Sequence, residues 1–154
     1  MDHNQFNIRV YGLLIREDSI LVTDEFRLGI LMTKFPGGAL EFGEGTLDCL
    51  KREFLEELNT RIEVIRHFYT TDFYQPTELL PSTMQLLGIY YVVSAKPPFG
   101  FQTTTHKFDF PELVEGAQCF RWIKLKQLSE DEVTFPVDKK VVRLLHHDLH
   151  NLNT

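Results

Sequence analysis

The sequence predicts an α/β chain of the α+β kind, a mixed β-sheet sandwiched between helices. Three observations carry that expectation. Segments rich in β-branched and aromatic residues recur along the chain, a strongly amphipathic stretch occupies 46–58, and a second one runs from Pro136 towards the C-terminus.

The order of elements follows from local chemistry. "FNIRVYGLLIRE" (Phe6 to Glu17) is dense in β-formers, "EDS" breaks it, and "SILVTDE" supplies a hairpin partner. "LGILMTKF" (Leu28 to Phe35) reads as a further strand, ended by Pro36-Gly37-Gly38. The 46–58 helix comes next. "RIEVIRHFYTTDFY" and "STMQLLGIYYVVSA" are long strand candidates separated by "QPTELLP", and "AQCFRWIKLKQL" is the last strand. "PVDKKVVRLLHHDLH" is an amphipathic helix with Pro136 in its first turn, where a missing N–H is harmless. Between the last two strands lie some twenty residues rich in Pro, Gly, Thr and Phe, "KPPFGFQTTTHKFDFPELVEG". Its Phe99, Phe101, Phe108 and Phe110 argue against plain disorder. A lid over a ligand and a loop that packs its phenylalanines inward are both compatible with it.

Composition narrows the function classes. A length of 154 residues suits one domain spanning 1–154 with its own core. The formal charge of −6 gives no basic footprint for nucleic acid, so none is expected as a partner. The N-terminal "MDHNQFNIRV" lacks a basic segment followed by an apolar one, and no apolar run approaches the roughly 20 residues of a membrane span. No membrane partner and a cytoplasmic location are the expectation. Cys49 and Cys119 make no disulfide framework and no Cys-x-x-Cys pair, and read as buried reduced thiols.

The carboxylates of 46–58 carry the chemistry. At about 100° per residue, Leu47, Leu50, Phe54 and Leu58 form one apolar stripe that should face the core. Glu53 and Glu57 then sit one turn apart on another surface, with Glu56 beside them and Arg52 a turn earlier. Thr46 is positioned to cap the helix. Like charges at i and i+4 weaken an isolated helix by a few tenths of a kcal/mol, roughly. An i, i+4 pair between Arg52 and Glu56 relieves part of that, but one arginine leaves an acidic excess. A solvated acidic face is the plain reading. The preceding "FPGGALEFGEG" (35–45) changes it, because Gly37-Gly38 permits a tight turn and a close backbone approach. Carboxylates grouped with a backbone carbonyl are the all-oxygen set that Mg²⁺ or Mn²⁺ prefers.

Read as a pattern, Gly38-x5-Glu44-x7-Arg52-Glu53-Phe54-x-Glu56-Glu57 resembles the Nudix box, G-x5-E-x7-R-E-U-x-E-E-x-G-U with U bulky and apolar. Two positions depart from it: Asn59 stands for the last glycine and Thr60 for the last apolar residue. Asn is the next-best residue for a left-handed turn after a helix, whereas Thr60 is expected to loosen the packing there. The resemblance implies the Nudix fold, and hydrolysis of a nucleoside diphosphate linked to another group. The substrate would be a small nucleotide such as an ADP-ribose-like compound, a nucleotide sugar or a nucleoside triphosphate. It implies that Glu53, Glu56 and Glu57 bind Mg²⁺ or Mn²⁺ with the Gly38 carbonyl. Glu44 would act through water or from behind the ligands, Arg52 would orient a glutamate, and Glu53 would hold or deprotonate the attacking water. Asp109, Glu112 and Glu115 are alternative sources of the base. Homodimers are frequent in that family. A nucleotide-sensing domain without catalysis is the rival reading.

Other residues are assigned more plainly. His146, His147 and His150 suit a helix C-terminus better than a metal. Tyr90, Tyr91, Phe73 and Tyr74 read as alternating strand residues, half of them core. Arg9, Arg27 and Lys34 are either phosphate contacts or exposed edge charges.

Overall fold

In the computed structural model of the chain, residues 4–77 and 84–152 are described, and two compact units emerge. The first holds Met1–Leu14 and Pro36–Phe101; the second holds Ile15–Phe35 and Gln102–Thr154. Part of the predicted 75–81 loop, and Ser82 and Thr83 of the predicted strand after it, lie outside the described residues.

The first unit is a mixed sheet with one helix. Strand β1 (Gln5–Arg16) runs through the first unit and ends in the second. In the first unit it pairs in parallel with β6 (Met84–Ser94), from Gln5↔Met84 to Leu14↔Val93, and antiparallel with the short β4 (Gly37–Ala39). Strand β5 (Glu63–Thr70) lies antiparallel to β6 and carries two register shifts. Sequence chemistry predicts a turn at Gly37-Gly38; instead these residues extend along β1, with Gly38 opposite Val10 and Gly37 opposite Tyr11. The glycines serve close approach rather than turning. A Cβ on Gly37 would stand 2.0 Å from the Val10 carbonyl oxygen.

Helix α1 (Thr46–Leu58) has the predicted bounds and buries Cys49, Leu50, Phe54 and Leu58. Gly12 of β1 leaves room for it, since a Cβ there would lie 2.6 Å from the Phe54 ring. Leu47 is not part of the buried stripe and is 44% exposed. Lying in the first turn, it stops short of the surface that Leu50 and Phe54 cover. Thr46 is not the cap either. Gly45 occupies that position, its N–H donates to Asp48 at 3.3 Å, and the Thr46 hydroxyl shares a 2.7 Å hydrogen bond with the Tyr91 hydroxyl. Asn59 closes the helix in the left-handed region at φ 47°, as its chemistry predicts. Thr60 tightens this end instead of loosening it: its hydroxyl donates to the Leu58 carbonyl at 2.8 Å and accepts the Gly100 N–H at 3.3 Å.

Tyr90 is fully buried and stacks on Tyr11, with ring centroids 4.9 Å apart, and Tyr91 lies half-buried beside it in β6. Phe73 and Tyr74 lie past the end of β5, exposed, rather than within the strand. Phe99 and Phe101 stack on each other at 5.3 Å.

The second unit is antiparallel. Strand β2 (Ser19–Arg27) pairs with the Ile15–Arg16 end of β1, with β3 (Ile30–Lys34) and with β7 (Gln118–Lys124). Leu28 was expected to begin a strand, but Leu28 and Gly29 form the β2–β3 turn at φ 52° and 74°. Both central residues at positive φ suit a two-residue hairpin. Glu115 closes this turn, its carboxylate accepting the Leu28 N–H at 2.9 Å.

Helix α2 (Pro136–Leu152) buries Val137, Val141, Val142 and Leu145 in the three-and-four spacing of an amphipathic helix. The His146 ring meets the Leu128 carbonyl. His147 is exposed, and the His150 side chain lies outside the described residues. Both cysteines are buried and free. No described helix is long and apolar enough to cross a membrane.

Two buried carboxylates sit side by side in β2. Asp24 is fully buried and receives Arg121 Nε at 2.7 Å, Arg121 Nη2 at 3.1 Å and the Thr33 hydroxyl at 2.7 Å. It also accepts the N–H of Phe108, which stands at φ 57°, so it ties the 102–116 segment to the sheet. Glu25 is 1% exposed and is matched by Lys34 at 3.3 Å and by Arg27 at 2.9 Å, the latter by charge rather than hydrogen-bond alignment. Arg27 and Lys34 are thus counterions of a buried glutamate. Arg9 donates to the Tyr11 hydroxyl at 2.9 Å and lies over its ring.

Candidate active site

Every charged side chain of the 38–57 motif belongs to the first unit, and Arg52 organises most of them. Arg52 projects from α1 towards the loop before it. Its Nε and Nη2 donate to the two oxygens of Glu44 at 3.0 and 2.8 Å, a bidentate grip. Its Nη1 donates to Glu53 at 3.0 Å and to Glu56 at 3.1 Å, the predicted i, i+4 pair. Its Nη2 also reaches the Ala39 carbonyl of β4 at 3.1 Å. One guanidinium therefore joins the strand, the loop and two turns of the helix.

Glu44 answers by shaping the loop. It accepts the Glu41 N–H at 2.9 Å, while its own N–H donates to the Glu41 carbonyl at 3.4 Å. The Arg52 guanidinium, followed by the Glu41 N–H, holds the Glu44 carboxyl well below the usual range, at about 2. The same contact raises Arg52 above its ordinary value. Cys49 beneath them is pushed up to about 12, first by burial and then by its Glu44 neighbour, and its thiol donates to the Ala39 carbonyl at 3.5 Å. It is an inert thiol.

Glu53 lies against Gly38. A Cβ at Gly38 would fall 2.1 Å from the Glu53 carboxyl carbon and 2.3 and 2.5 Å from its oxygens. The carboxylate fills the cradle that the missing side chain leaves, so backbone and acid share one small space. Side-chain exposure is 12% for Glu53, 14% for Glu44 and 58% for Glu56. Glu57, one turn beyond Glu53, is half-buried.

Among the described residues, no three His, Cys, Asp or Glu side chains stand as a ready-made metal cluster. Arg52 stands among Glu44, Glu53 and Glu56 and supplies the positive charge. The donor set still suits a hard divalent cation, being all oxygen, largely anionic and backed by a glycine backbone. Of the alternative bases, Glu115 is engaged by the Leu28 N–H, and Asp109 and Glu112 are exposed in the second unit.

Three participants were not apparent from the sequence. The Ala39 carbonyl anchors Arg52, the Glu41 backbone orders Glu44, and Tyr91 holds Thr46 at the start of α1. Only the Glu41-x-x-Glu44 spacing, which fits a four-residue turn, offered a signal.

The profile of the NUDIX domain matches residues 5–145. No curated protein matches. Among solved structures, a NUDIX hydrolase from Nitrosomonas europaea aligns with a TM-score of 0.67 at 16% identity, over 94% of this chain and 90% of that one. A MutT NUDIX hydrolase from Burkholderia pseudomallei gives 0.68 at 13% identity, over 92% and 98%. An ADP-ribose pyrophosphatase from Streptococcus suis gives 0.59 at 15% identity, over 96% and 92%. Likeness at these identities speaks for the fold.

Proposed function

Because the chain belongs to the Nudix hydrolase family, we propose that it cleaves the pyrophosphate bond of a nucleoside diphosphate derivative with the help of Mg²⁺ or Mn²⁺. The contact of Glu53 with Gly38 is the observation that carries this reading. Glu53, Glu56, Glu57 and the Gly38 carbonyl are the residues that would hold the cation. A divalent cation supplies charge neutralisation on the diphosphate and a more acidic water.

The chain's own residues do the rest. Glu53, held by Arg52 on one oxygen, has its second oxygen to align a water and take its proton. Arg52 fixes the rotamers of Glu53 and Glu56, so little reorganisation is left for the reaction itself. Glu44 holds Arg52 in turn and acts from behind the ligands. Substrate classes consistent with this chemistry are an ADP-ribose-like compound, a nucleotide sugar or a nucleoside triphosphate. We read residues 1–154 as one Nudix domain.

Purified protein with Mg²⁺ or Mn²⁺, screened against a nucleotide panel for released nucleoside monophosphate, pyrophosphate or phosphate, tests this beside a Glu57→Gln variant. Turnover of at least one compound, lost in the variant, is the expected result. Binding without turnover across the panel would favour a nucleotide sensor, although a sensor has no need to retain all the box carboxylates.

A further inference from the structure

Phe42 has no assigned work in the reading above, yet its placement is unusual. It is fully exposed, at 109% of its reference area, whereas the next large apolar side chain among the described residues, Phe6, reaches 65%. An exposed phenyl ring in water forfeits the burial that favours aromatic side chains. Nor is it at the tip of a loose loop. The reciprocal hydrogen bonds of Glu41 and Glu44 close a four-residue turn, Gly43 takes φ 89°, and Phe42 occupies the corner before it. Glu44 is itself gripped at two points by Arg52. The ring is thus carried on a turn fixed to the carboxylate cluster.

We propose that Phe42 is the stacking platform for the base of the nucleotide substrate, presented by the Glu41–Glu44 turn beside the carboxylates. This rests on the pyrophosphohydrolase reading and adds the residue that recognises the non-phosphate end of the substrate. The acidic, glycine-containing turn that carries the ring favours a flat small-molecule group over a protein partner. The chain neighbours of Phe42 on the turn are Glu41, with a side chain 67% exposed, Gly43 and Glu44. A protein hot spot needs an apolar rim that excludes water, and carboxylates and glycines provide none. A base needs only a free aromatic face, because both partners are planar and every base has a π-surface. Such a platform tolerates different bases but does require one.

The test separates this proposal from the hydrolase reading. Phe42→Ala should raise KM for a hydrolysed nucleotide about tenfold while kcat stays within about twofold, and Phe42→Trp should restore KM. In Phe42→Trp, tryptophan emission corrected for the wild-type signal of Trp122 should be quenched by nucleoside diphosphates and not by inorganic pyrophosphate. That binding signal is read whether or not turnover occurs. An unchanged KM in Phe42→Ala, or equal quenching by pyrophosphate and nucleotides, would overturn the platform. An inactive wild type together with base-dependent quenching in Phe42→Trp would instead remove the hydrolase reading and leave the platform standing.

Discussion

Gly38 and Glu53 are mutually exclusive with any side chain at position 38, because the Glu53 carboxyl carbon lies 2.1 Å from where a Cβ would be. Gly38→Ala should therefore displace Glu53 and leave the pairing of β4 with β1 in place. A shift of about 1 Å at a reacting group costs on the order of 100-fold. We expect kcat to fall by about that factor while far-ultraviolet circular dichroism stays native. Undiminished kcat in Gly38→Ala would show that the Glu53 position is irrelevant.

Arg52 predicts an acid dependence. Glu44 has a folded pKa of about 2 against an ordinary 4.5, so its charged form is favoured in the folded chain. The corresponding stability is complete above the ordinary value and disappears as pH falls through the folded one. In urea titrations, wild type should exceed Arg52→Gln in midpoint above pH 4.5, and the gap should close as pH approaches 2. A gap that is constant across this window would remove Arg52 as the cause. In activity assays Arg52→Gln should lose roughly 10–100-fold, the usual effect of removing a group that orients ligands.

Asp24 and Arg121 are a buried pair bridging residues 97 apart in sequence. Removing one partner strands a charge, so Asp24→Ala should cost about 3–5 kcal/mol in urea unfolding. The double variant with Arg121→Leu should be less destabilised than the sum of the single ones, because neither charge is then orphaned. Strict additivity would mean that the pair is not coupled.

Leu28 occupies a left-handed conformation at φ 52°, which for a residue with a Cβ costs roughly 1–2 kcal/mol. Asn tolerates it better, so Leu28→Asn should stabilise the chain by about 1 kcal/mol. Glu115→Ala should weaken the same turn, since the Leu28 N–H loses its carboxylate acceptor. Thermal unfolding measures both, and a lower Tm for Leu28→Asn would contradict the assignment of strain.

The helix of the site was legible because its evidence is local. Leu50, Phe54 and Leu58 recur at helical spacing, and Asn59 announces the end. The Arg52–Glu56 pair followed from the same geometry. What was not legible depends on distant partners. Three residues such as Gly37–Ala39 are too short to carry a strand pattern, and only their pairing with β1 reveals one. Burial of Asp24 and Glu25 is invisible in the local sequence, because their counterions come from Arg121 and from Lys34. Thr46 looked like a cap since its type suits one, but Tyr91, 45 residues away, claims its hydroxyl. Glycine at 38 was read as permitting a tight turn and a close backbone approach; the turn is absent, and the group that approaches is the Glu53 carboxylate, which no local pattern names.

The crowding of acids around one guanidinium also governs how a phosphorylated molecule approaches. Glu41, Glu44, Glu53, Glu56 and Glu57 against Arg52 carry a formal charge of −4. A polyphosphate stripped of its counterions meets a repulsive field there, felt over a Debye length of about 8 Å at physiological ionic strength. Raising monovalent salt shortens that reach, so encounter should quicken with ionic strength, the reverse of the behaviour of a basic nucleotide pocket.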